Sequence, residues 1–185
     1  MIKHALIADA EYFRFFQGHV KKFLELEPKT LEKAIRDSCV IKKTIVEEDE
    51  KETGKRRLLN CGHTLAHAVE QLSDYQISHG EAVAIGILVE AHISHSRGHL
   101  SKGEFEAIEK IFRDYEVPLR SLEGMEATRI LDATILDKKS VKGKSRYVLL
   151  AKIGEPLAFE GQYCAAVAEP ELQEAISWYR TLQRM

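Results

Sequence analysis

Apolar residues recur along most of the chain at the spacing of one face of an α-helix. Residues that stop helices punctuate this pattern, and Pro28, Gly54, Gly98 and Pro118 are the clearest breaks. The pattern therefore predicts a mainly helical fold. The predicted helices run from about Asp9 to Leu26, from Thr30 to a charged stretch at 47–51, from an N-cap at Asn60 to Ser73, from Gly80 to Arg97, from Ser101 to just before Pro118, and from Pro170 onward.

A single small β-hairpin is predicted near 146–160. Its strands would be Arg146 to Lys152 and Leu157 to Phe159, with the turn residues Gly154-Glu155-Pro156 between them. With 185 residues, of which 44% are hydrophobic, the chain can bury one sizeable core. We therefore expect residues 1–185 to form a single helical domain that carries this hairpin.

Composition excludes several classes of partner. A net charge of -2 and a pI near 6.5 argue against a nucleic-acid partner. The longest apolar run, 82–89, is far shorter than the ~20 residues of a membrane span, and residues 1–4 open no signal peptide. Cys39, Cys61 and Cys164 are odd in number and widely spaced, which favours reduced thiols in the core of a cytoplasmic protein.

Three histidines are the first candidates for chemistry. His63 and His67 lie one helical turn apart and so share a face, and His79 begins a second apolar run that can fold back against the first. A catalytic zinc takes three protein ligands and leaves a position for water or substrate, which three imidazoles would satisfy. Spacing alone favours His63 and His67 as a ligand pair. The alternative is that one or two of the three are capping or core histidines.

Polar and charged residues lie just upstream of these histidines. They are Lys42, Lys43, Glu52, Arg56 and Asn60. Together they supply positive charge and a carboxylate near the predicted metal, as an anionic, oxygen-rich substrate needs. The sequence therefore predicts a metal site that also binds a small anionic molecule.

A second group of histidines, His92, His95 and His99, also has a spacing that a metal site could use. No carboxylate or phosphate-binding pattern surrounds it, and Gly98 marks the end of the helix there. We interpret this group as a solvated helix end.

The order of the polar residues resembles the C-terminal domain of the 3-dehydroquinate synthases. The family pattern reads roughly Glu-x-Glu-x-Gly-x-Arg-x-x-Leu-Asn-x-Gly-His-Thr-x-x-His-Ala-x-Glu, followed by His-Gly-Glu-Ala-Val-Ala-x-Gly. This chain is similar over 50–70 and 79–86, and also over 1–7 and 137–139. The resemblance covers almost the whole chain but only half of the usual enzyme, since nothing here resembles the N-terminal NAD-binding domain.

The resemblance implies roles for the histidines that differ from those favoured by spacing. It makes His63 and His79 the zinc ligands. It makes His67 a residue that contacts the substrate phosphate and helps to move protons, and it makes Glu52 an acid or base near the metal.

The resemblance also assigns residues to substrate binding. Lys42 and Arg56 would bind the substrate carboxylate and hydroxyls, for which the planar guanidinium of arginine is suited. The phosphate would be bound by Lys3, Asn60 and one of Lys138 and Lys139.

The implied activity belongs to the shikimate pathway, which makes aromatic amino acids. It converts 3-deoxy-D-arabino-heptulosonate 7-phosphate into 3-dehydroquinate and phosphate, with zinc or another divalent metal and with NAD. The family binds NAD mainly through its N-terminal domain, and its third zinc ligand matches the position just before Met1. The resemblance also implies a homodimer for the full-length enzyme. For the chain by itself we expect weak zinc binding and no turnover.

Other interpretations stay open. One is a related sugar-phosphate cyclase, such as a 2-deoxy-scyllo-inosose synthase, or a metal-dependent alcohol dehydrogenase with a similar helical domain. Arg56 and Asn60 disfavour both, because Arg56 is suited to bind the carboxylate of a substrate that carries one. A helical metal-binding module without catalysis is the alternative from a different functional class.

Overall fold

Helices make up most of the structure, which is a computed structural model that describes residues 1–120, 122, 124–136, 145–159 and 162–182. A short 3₁₀ helix over Lys55–Asn60 precedes the histidine-bearing segment. The α-helices are α1 (Ile2–Ala8), α2 (Ala10–Gly18), α3 (Val20–Leu24), α4 (Pro28–Glu48), α5 (His63–Leu72), α6 (His79–Ser96), α7 (Lys102–Asp114), α8 (Ala127–Leu136) and α9 (Glu169–Leu182).

Helix α6 lies at the centre of the helical packing. It is apolar on all sides over most of its length. At the surface of the protein such a helix would expose apolar side chains in any orientation, so it is expected to be buried. Its residues from Ala82 to Ser94 are accordingly mostly buried, and it contacts α5, α7 and α9.

Helix α5 begins directly against α6 because two glycines meet there. A Cβ atom at Gly86 would lie 2.0 Å from the carbonyl oxygen of Gly62, so no side chain fits at this position. Gly62 itself has a φ of 76°, in the left-handed region that favours glycine. The contact places His63, the first residue of α5, close to the first half of α6.

The predicted helix over 9–26 begins where expected but is interrupted at His19. Asp9 is the N-cap of α2, and its Oδ1 accepts a hydrogen bond from the backbone N–H of Tyr12 at 2.9 Å. The helix then breaks at His19, whose Nδ1 donates to the carbonyl of Phe15 at 2.9 Å. Pro28 begins α4, because a proline at the first position of a helix has no N–H that needs a partner.

The predicted N-cap at Asn60 is also wrong. Asn60 ends the 3₁₀ helix, and Gly62 is the N-cap of α5. The close approach to α6 requires glycine at that point. A choice based on capping propensity alone therefore selects the wrong residue.

The predicted hairpin exists, but its strands pair differently. Strand β1 (Arg146–Tyr147) pairs antiparallel with β4 (Ala165–Ala166), and only β2 (Leu150–Lys152) pairs with β3 (Glu155–Pro156). The turn at Gly154 has a φ of 83°, and its N–H donates to the carbonyl of Leu6 at 2.9 Å. The first half of the predicted first strand therefore pairs with a distant segment. Glu155 and Pro156, predicted as turn residues, form the partner strand of β2 in place of residues 157–159.

Several local predictions are confirmed. Helix α6 ends at Ser96, with Arg97 as its C-cap and Gly98 next in the left-handed region, and Ser101 caps α7 through a hydrogen bond from the N–H of Glu104. Helices α1 and α8 were not predicted. Of the cysteines, Cys61 and Cys164 are buried as expected, but Cys39 is exposed.

Among the described residues, no helix combines the length and the apolar character that crossing a membrane requires.

Substitution Gly86→Ala tests the junction between α5 and α6. The new methyl group would collide with the backbone of Gly62. We expect the free energy of unfolding to fall by about 1–3 kcal/mol or more in a denaturant titration. The control is Gly103→Ala, in α7, where an added Cβ meets nothing within 4 Å. Equal stability of the two variants would contradict the tight junction.

Candidate metal and substrate site

The three predicted histidines lie together at the start of α5 and α6. The ring centroids of His63 and His79 are 5.1 Å apart. The centroid of His67 is 5.8 Å from that of His63 and 6.4 Å from that of His79. The fold thus brings His79 back to the first turns of α5, as the sequence pattern predicted; the roles of the three residues stay predictions.

The ring of His63 is oriented by the backbone of its own turn. Its Nδ1 lies 3.0 Å from the carbonyl oxygen of Cys61. A carbonyl oxygen only accepts hydrogen bonds, so Nδ1 is the donor, and in the neutral ring Nε2 then carries the lone pair. This is the tautomer that can ligate a metal through Nε2.

The ring of His79 is oriented by a carboxylate. Its Nδ1 lies 3.1 Å from Oε1 of Glu70, which is on α5 and has a mostly buried side chain. Metal-binding histidines usually donate their second ring N–H to such an acceptor. The sequence analysis gave Glu70 no role, although Glu70 follows His63 and His67 along one face of α5.

The donor set agrees in part with a divalent metal. His63 and His79 offer two imidazoles in a suitable tautomer, and a usual catalytic zinc has three protein ligands. Within the described residues, no group of three or more His, Cys, Asp or Glu side chains has the geometry to hold a metal ion.

A cavity of about 610 Å³ opens beside the two imidazoles. Lys3, His4 and Lys42 also line it, together with apolar residues. The amine of Lys3 donates to the carbonyl of Leu59 at 2.6 Å, and Lys42 is exposed. Two of the predicted substrate-binding lysines are therefore on the same cavity as the predicted metal ligands.

His4 is a residue of this cavity that the sequence analysis missed. Burial lowers the pKa of His4 to about 4, and the positive charge of Lys3 acts in the same direction. The ring is also bonded to the hydroxyl of Ser38 at 2.7 Å. His4 is therefore neutral near pH 7 and adds a hydrogen-bonding group without adding charge.

Two other predicted residues lie on a separate cavity of about 330 Å³. Glu52 and Asn60 line it with Arg57 and Arg146, and the amide of Asn60 donates to Oε1 of Glu52 at 2.9 Å. Leu59 and His63 line the first cavity, whereas their neighbours Asn60 and Thr64 line the second. The segment 59–64 therefore runs between the two cavities.

Arg56 lines neither of these cavities. Its guanidinium donates to the carbonyl of Glu50 at 2.8 Å. Asp49 organises this loop by accepting hydrogen bonds from the backbone N–H groups of Arg56 and Gly54, which lower the pKa of Asp49 to about 2. The predicted contact of Arg56 with substrate stays a prediction. Lys138 and Lys139 lie outside the described residues.

The second histidine group packs against aromatic side chains. His92 stacks on Trp178 with ring centroids 4.5 Å apart, and His95 stacks on Phe105 at 5.1 Å. Both are only partly exposed, so a fully solvated helix end is wrong for them, whereas His99 is exposed. These contacts are those of helix packing.

A buried carboxyl group lies beneath the start of α5. Glu90, on α6, is 2% exposed, and its Oε2 accepts a hydrogen bond from the backbone N–H of Gly62 at 2.7 Å. Burial raises the pKa of Glu90 to about 8, although the hydrogen bond from Gly62 and the charge of Lys3 act in the opposite direction. Near pH 7 the group is therefore mostly protonated.

The chain belongs to the 3-dehydroquinate synthase family, because residues 1–140 match the family model for the C-terminal part of these enzymes. A 3-dehydroquinate synthase of Thermodesulfovibrio yellowstonii is 37% identical over 84% of this chain and 44% of its own length. One of Clostridium beijerinckii is 40% identical over the same shares. The chain thus spans less than half the length of these two curated relatives. The resemblance noted in the sequence is confirmed.

Solved structures confirm the helical fold. The valiolone synthase ValA of Streptomyces hygroscopicus, solved with NAD⁺ and Zn²⁺ bound, has a TM-score of 0.84 at 24% identity and matches 100% of this chain and 49% of its own. A 2-deoxy-scyllo-inosose synthase complexed with carbaglucose-6-phosphate, NAD⁺ and Co²⁺ has a TM-score of 0.70 at 25% identity, over 80% of this chain and 42% of its own.

The buried carboxyl group predicts a pH dependence of stability. The pKa of Glu90 is about 8 in the folded chain and has a usual value of 4.5. A carboxyl group whose pKa is raised in the folded state stabilises the fold fully at a pH below its usual pKa. That contribution to the free energy of unfolding is lost as the pH rises from the usual pKa through the folded-state pKa. We expect Glu90→Gln, which cannot ionise, to gain stability relative to the wild type from pH 5 to 8, by about 1 kcal/mol or more.

Thermal unfolding at several pH values measures this difference. The control is Glu32→Gln, the same substitution at an exposed position on α4. Lys3, Cys61 and Tyr147 interact with the buried carboxyl group and are left unchanged in both variants. A constant difference between Glu90→Gln and the wild type would contradict the raised pKa.

Proposed function

We propose that this chain is the helical metal- and substrate-binding part of a 3-dehydroquinate synthase. The orientation of His63 and His79 carries the proposal. Each ring turns Nδ1 toward a fixed acceptor, the Cys61 carbonyl or the Glu70 carboxylate, and so presents Nε2 as a ligand atom. Membership of the family agrees with this use of the two rings.

His63 and His79 would hold a divalent metal, and Glu70 would keep the ring of His79 in place. A zinc ion bound there would stabilise negative charge on substrate oxygens as a Lewis acid. Two imidazoles are fewer than the three protein ligands of a usual catalytic zinc, and the described residues offer no group of three, so we propose that the chain by itself binds zinc only weakly.

We propose that Lys3 and Lys42 bind the anionic groups of the substrate, since both line the cavity beside the two imidazoles. Arg56 would bind the substrate carboxylate, for which its guanidinium must leave the carbonyl of Glu50. Asn60 would bind the phosphate from the second cavity. Lys138 and Lys139, outside the described residues, stay candidates for the same group.

Two residues are proposed to move protons. Glu52 is exposed at the second cavity, and Asn60 holds its carboxylate in place. His67 lies one helical turn after His63 and close to both other imidazoles. We propose that each acts as a general acid or base on a substrate bound beside the segment 59–64.

The proposed reaction is the conversion of 3-deoxy-D-arabino-heptulosonate 7-phosphate into 3-dehydroquinate and phosphate. The curated relatives support this substrate over that of another sugar-phosphate cyclase. Those named 3-dehydroquinate synthase are 37% and 40% identical to this chain, whereas the solved cyclases are 24% and 25% identical. An alcohol dehydrogenase or a module without catalysis is a possible outcome of the experiments below.

The proposed reaction also bears on the domain organisation, oligomeric state and location of the full-length enzyme. We propose that residues 1–185 fold as one helical domain and that NAD is bound mainly by another part of the full-length protein. We also propose that the full-length enzyme is a homodimer and works in the cytoplasm, where NAD and sugar phosphates are at hand.

A metal titration tests the proposed ligands. We expect His63→Ala and His79→Ala to abolish binding of Co²⁺, followed by its visible absorption, and Glu70→Gln to weaken it about 10–100-fold. His99→Ala, at an exposed histidine away from the site, is the control and should bind as the wild type does.

The variant His67→Ala decides between the two ligand pairs. If His63 and His79 are the ligands, His67→Ala should keep its affinity for Co²⁺. A loss as large as that of His63→Ala would favour the pair based on spacing, and the His79 assignment would then be wrong.

An activity assay tests the catalytic proposal. We expect the purified 185-residue chain, given 3-deoxy-D-arabino-heptulosonate 7-phosphate, NAD and zinc, to release no phosphate. Turnover at ~1 per second or faster would contradict this expectation. The full-length protein should release phosphate from this substrate and lose most of that activity on Glu52→Gln. Activity on glucose 6-phosphate alone would instead identify another cyclase.

A further inference from the structure

The peptide unit between Cys61 and Gly62 has a hydrogen-bond partner on each side. Its carbonyl oxygen accepts from Nδ1 of His63 at 3.0 Å. Its N–H donates to Oε2 of Glu90 at 2.7 Å, and Glu90 is 2% exposed. Because a peptide unit is rigid and planar, the group that holds its N–H also sets the direction of its carbonyl.

The backbone at this point forms a turn of a kind that is known in two orientations of its central peptide. Cys61 has φ and ψ of -51° and 125°, and Gly62 has 76° and -15°. These are the angles of a type II turn, and rotation of its central peptide by about half a turn gives a type I turn instead. In the rotated form the carbonyl of Cys61 would point toward Glu90, and His63 would lose its acceptor.

Glu90 stabilises one of these two orientations. Its Oε2 is an acceptor in a region that excludes water, so the N–H of Gly62 has a strong preference to point toward it. The thiol of Cys61 and the backbone N–H of Val148 also act on this carboxyl group. Glu90 is therefore held in place from more than one side while it accepts from Gly62.

We propose that Glu90 is a positioning residue that holds His63 in its metal-binding orientation through the peptide between Cys61 and Gly62. The inference rests on the proposed role of His63 as a ligand. Glu90 itself touches neither metal nor substrate. The tautomer of His63 is the property that it controls.

Two substitutions separate this role from simple packing. Glu90→Gln keeps the shape and an oxygen acceptor for the N–H of Gly62. Glu90→Met keeps a similar shape but removes the acceptor. Ser94→Ala is the matched control, since Ser94 is buried one turn further along α6. Its hydroxyl accepts from the N–H of Leu150 and donates to the backbone carbonyl of Glu90, but does not bond to α5 or to the Glu90 carboxyl group.

The first readout needs no metal. Nitrogen-15 NMR of the imidazoles in the wild type, Glu90→Gln and Ser94→Ala should show the His63 tautomer with the proton on Nδ1. We expect Glu90→Met to shift this ring toward a mixture of tautomers. An unchanged His63 ring in folded Glu90→Met would overturn the proposal.

The second readout is the affinity for Co²⁺. We expect Glu90→Met to bind about 10–100-fold more weakly than the wild type, as for other residues behind a ligand, and Glu90→Gln to restore the affinity. A wild type that binds no Co²⁺ would contradict the proposed metal site, but the NMR result would still test the control of His63 by Glu90.

A measurement on the wild type covers the case in which Glu90→Met does not fold. The proposal requires the amide of Gly62 to exchange with solvent as slowly as the amides inside α6, because Glu90 holds it in a buried bond. Rapid exchange of this amide in the native chain would overturn the proposal.

Discussion

The contact between Gly62 and Gly86 decides where α5 meets α6, and the candidate site depends on that junction. A side chain at Gly86 would collide with the carbonyl of Gly62, so the two backbones approach as closely as backbones can. His63 follows the contact directly, and His79 begins the other helix. Helix packing, rather than any attraction between the rings, therefore sets their separation of 5.1 Å.

Carboxyl groups support both candidate ligands, but in different ways. Glu70 accepts directly from His79, and its side chain is mostly buried. Glu90 is buried and acts on His63 only through the intervening peptide. A charge at Glu90 would be costly in that position, and the raised pKa of Glu90 removes it near pH 7. One ligand is thus oriented by a direct hydrogen bond and the other through the backbone.

Features that depend on neighbouring residues could be predicted from the sequence, and those that depend on packing could not. The cap at Ser101 and the stop at Gly98 are local, and both predictions are confirmed. Asn60 has the better capping side chain, yet Gly62 is the cap because α6 lies against it. The partner of β1 and the bond from Gly62 to Glu90 join distant parts of the chain, and no local pattern indicates them.

The placement of both candidate ligands at helix starts limits how a metal can bind. The N-terminus of a helix carries partial positive charge, which lowers its affinity for a cation and raises it for an anion. Lys3 and Lys42 add positive charge to the same cavity. The two imidazoles bring no negative charge that would offset it, so an anionic ligand would favour the binding of a divalent metal. A small anion bound in the same cavity would supply that charge, and metal binding and anion binding would then favour each other.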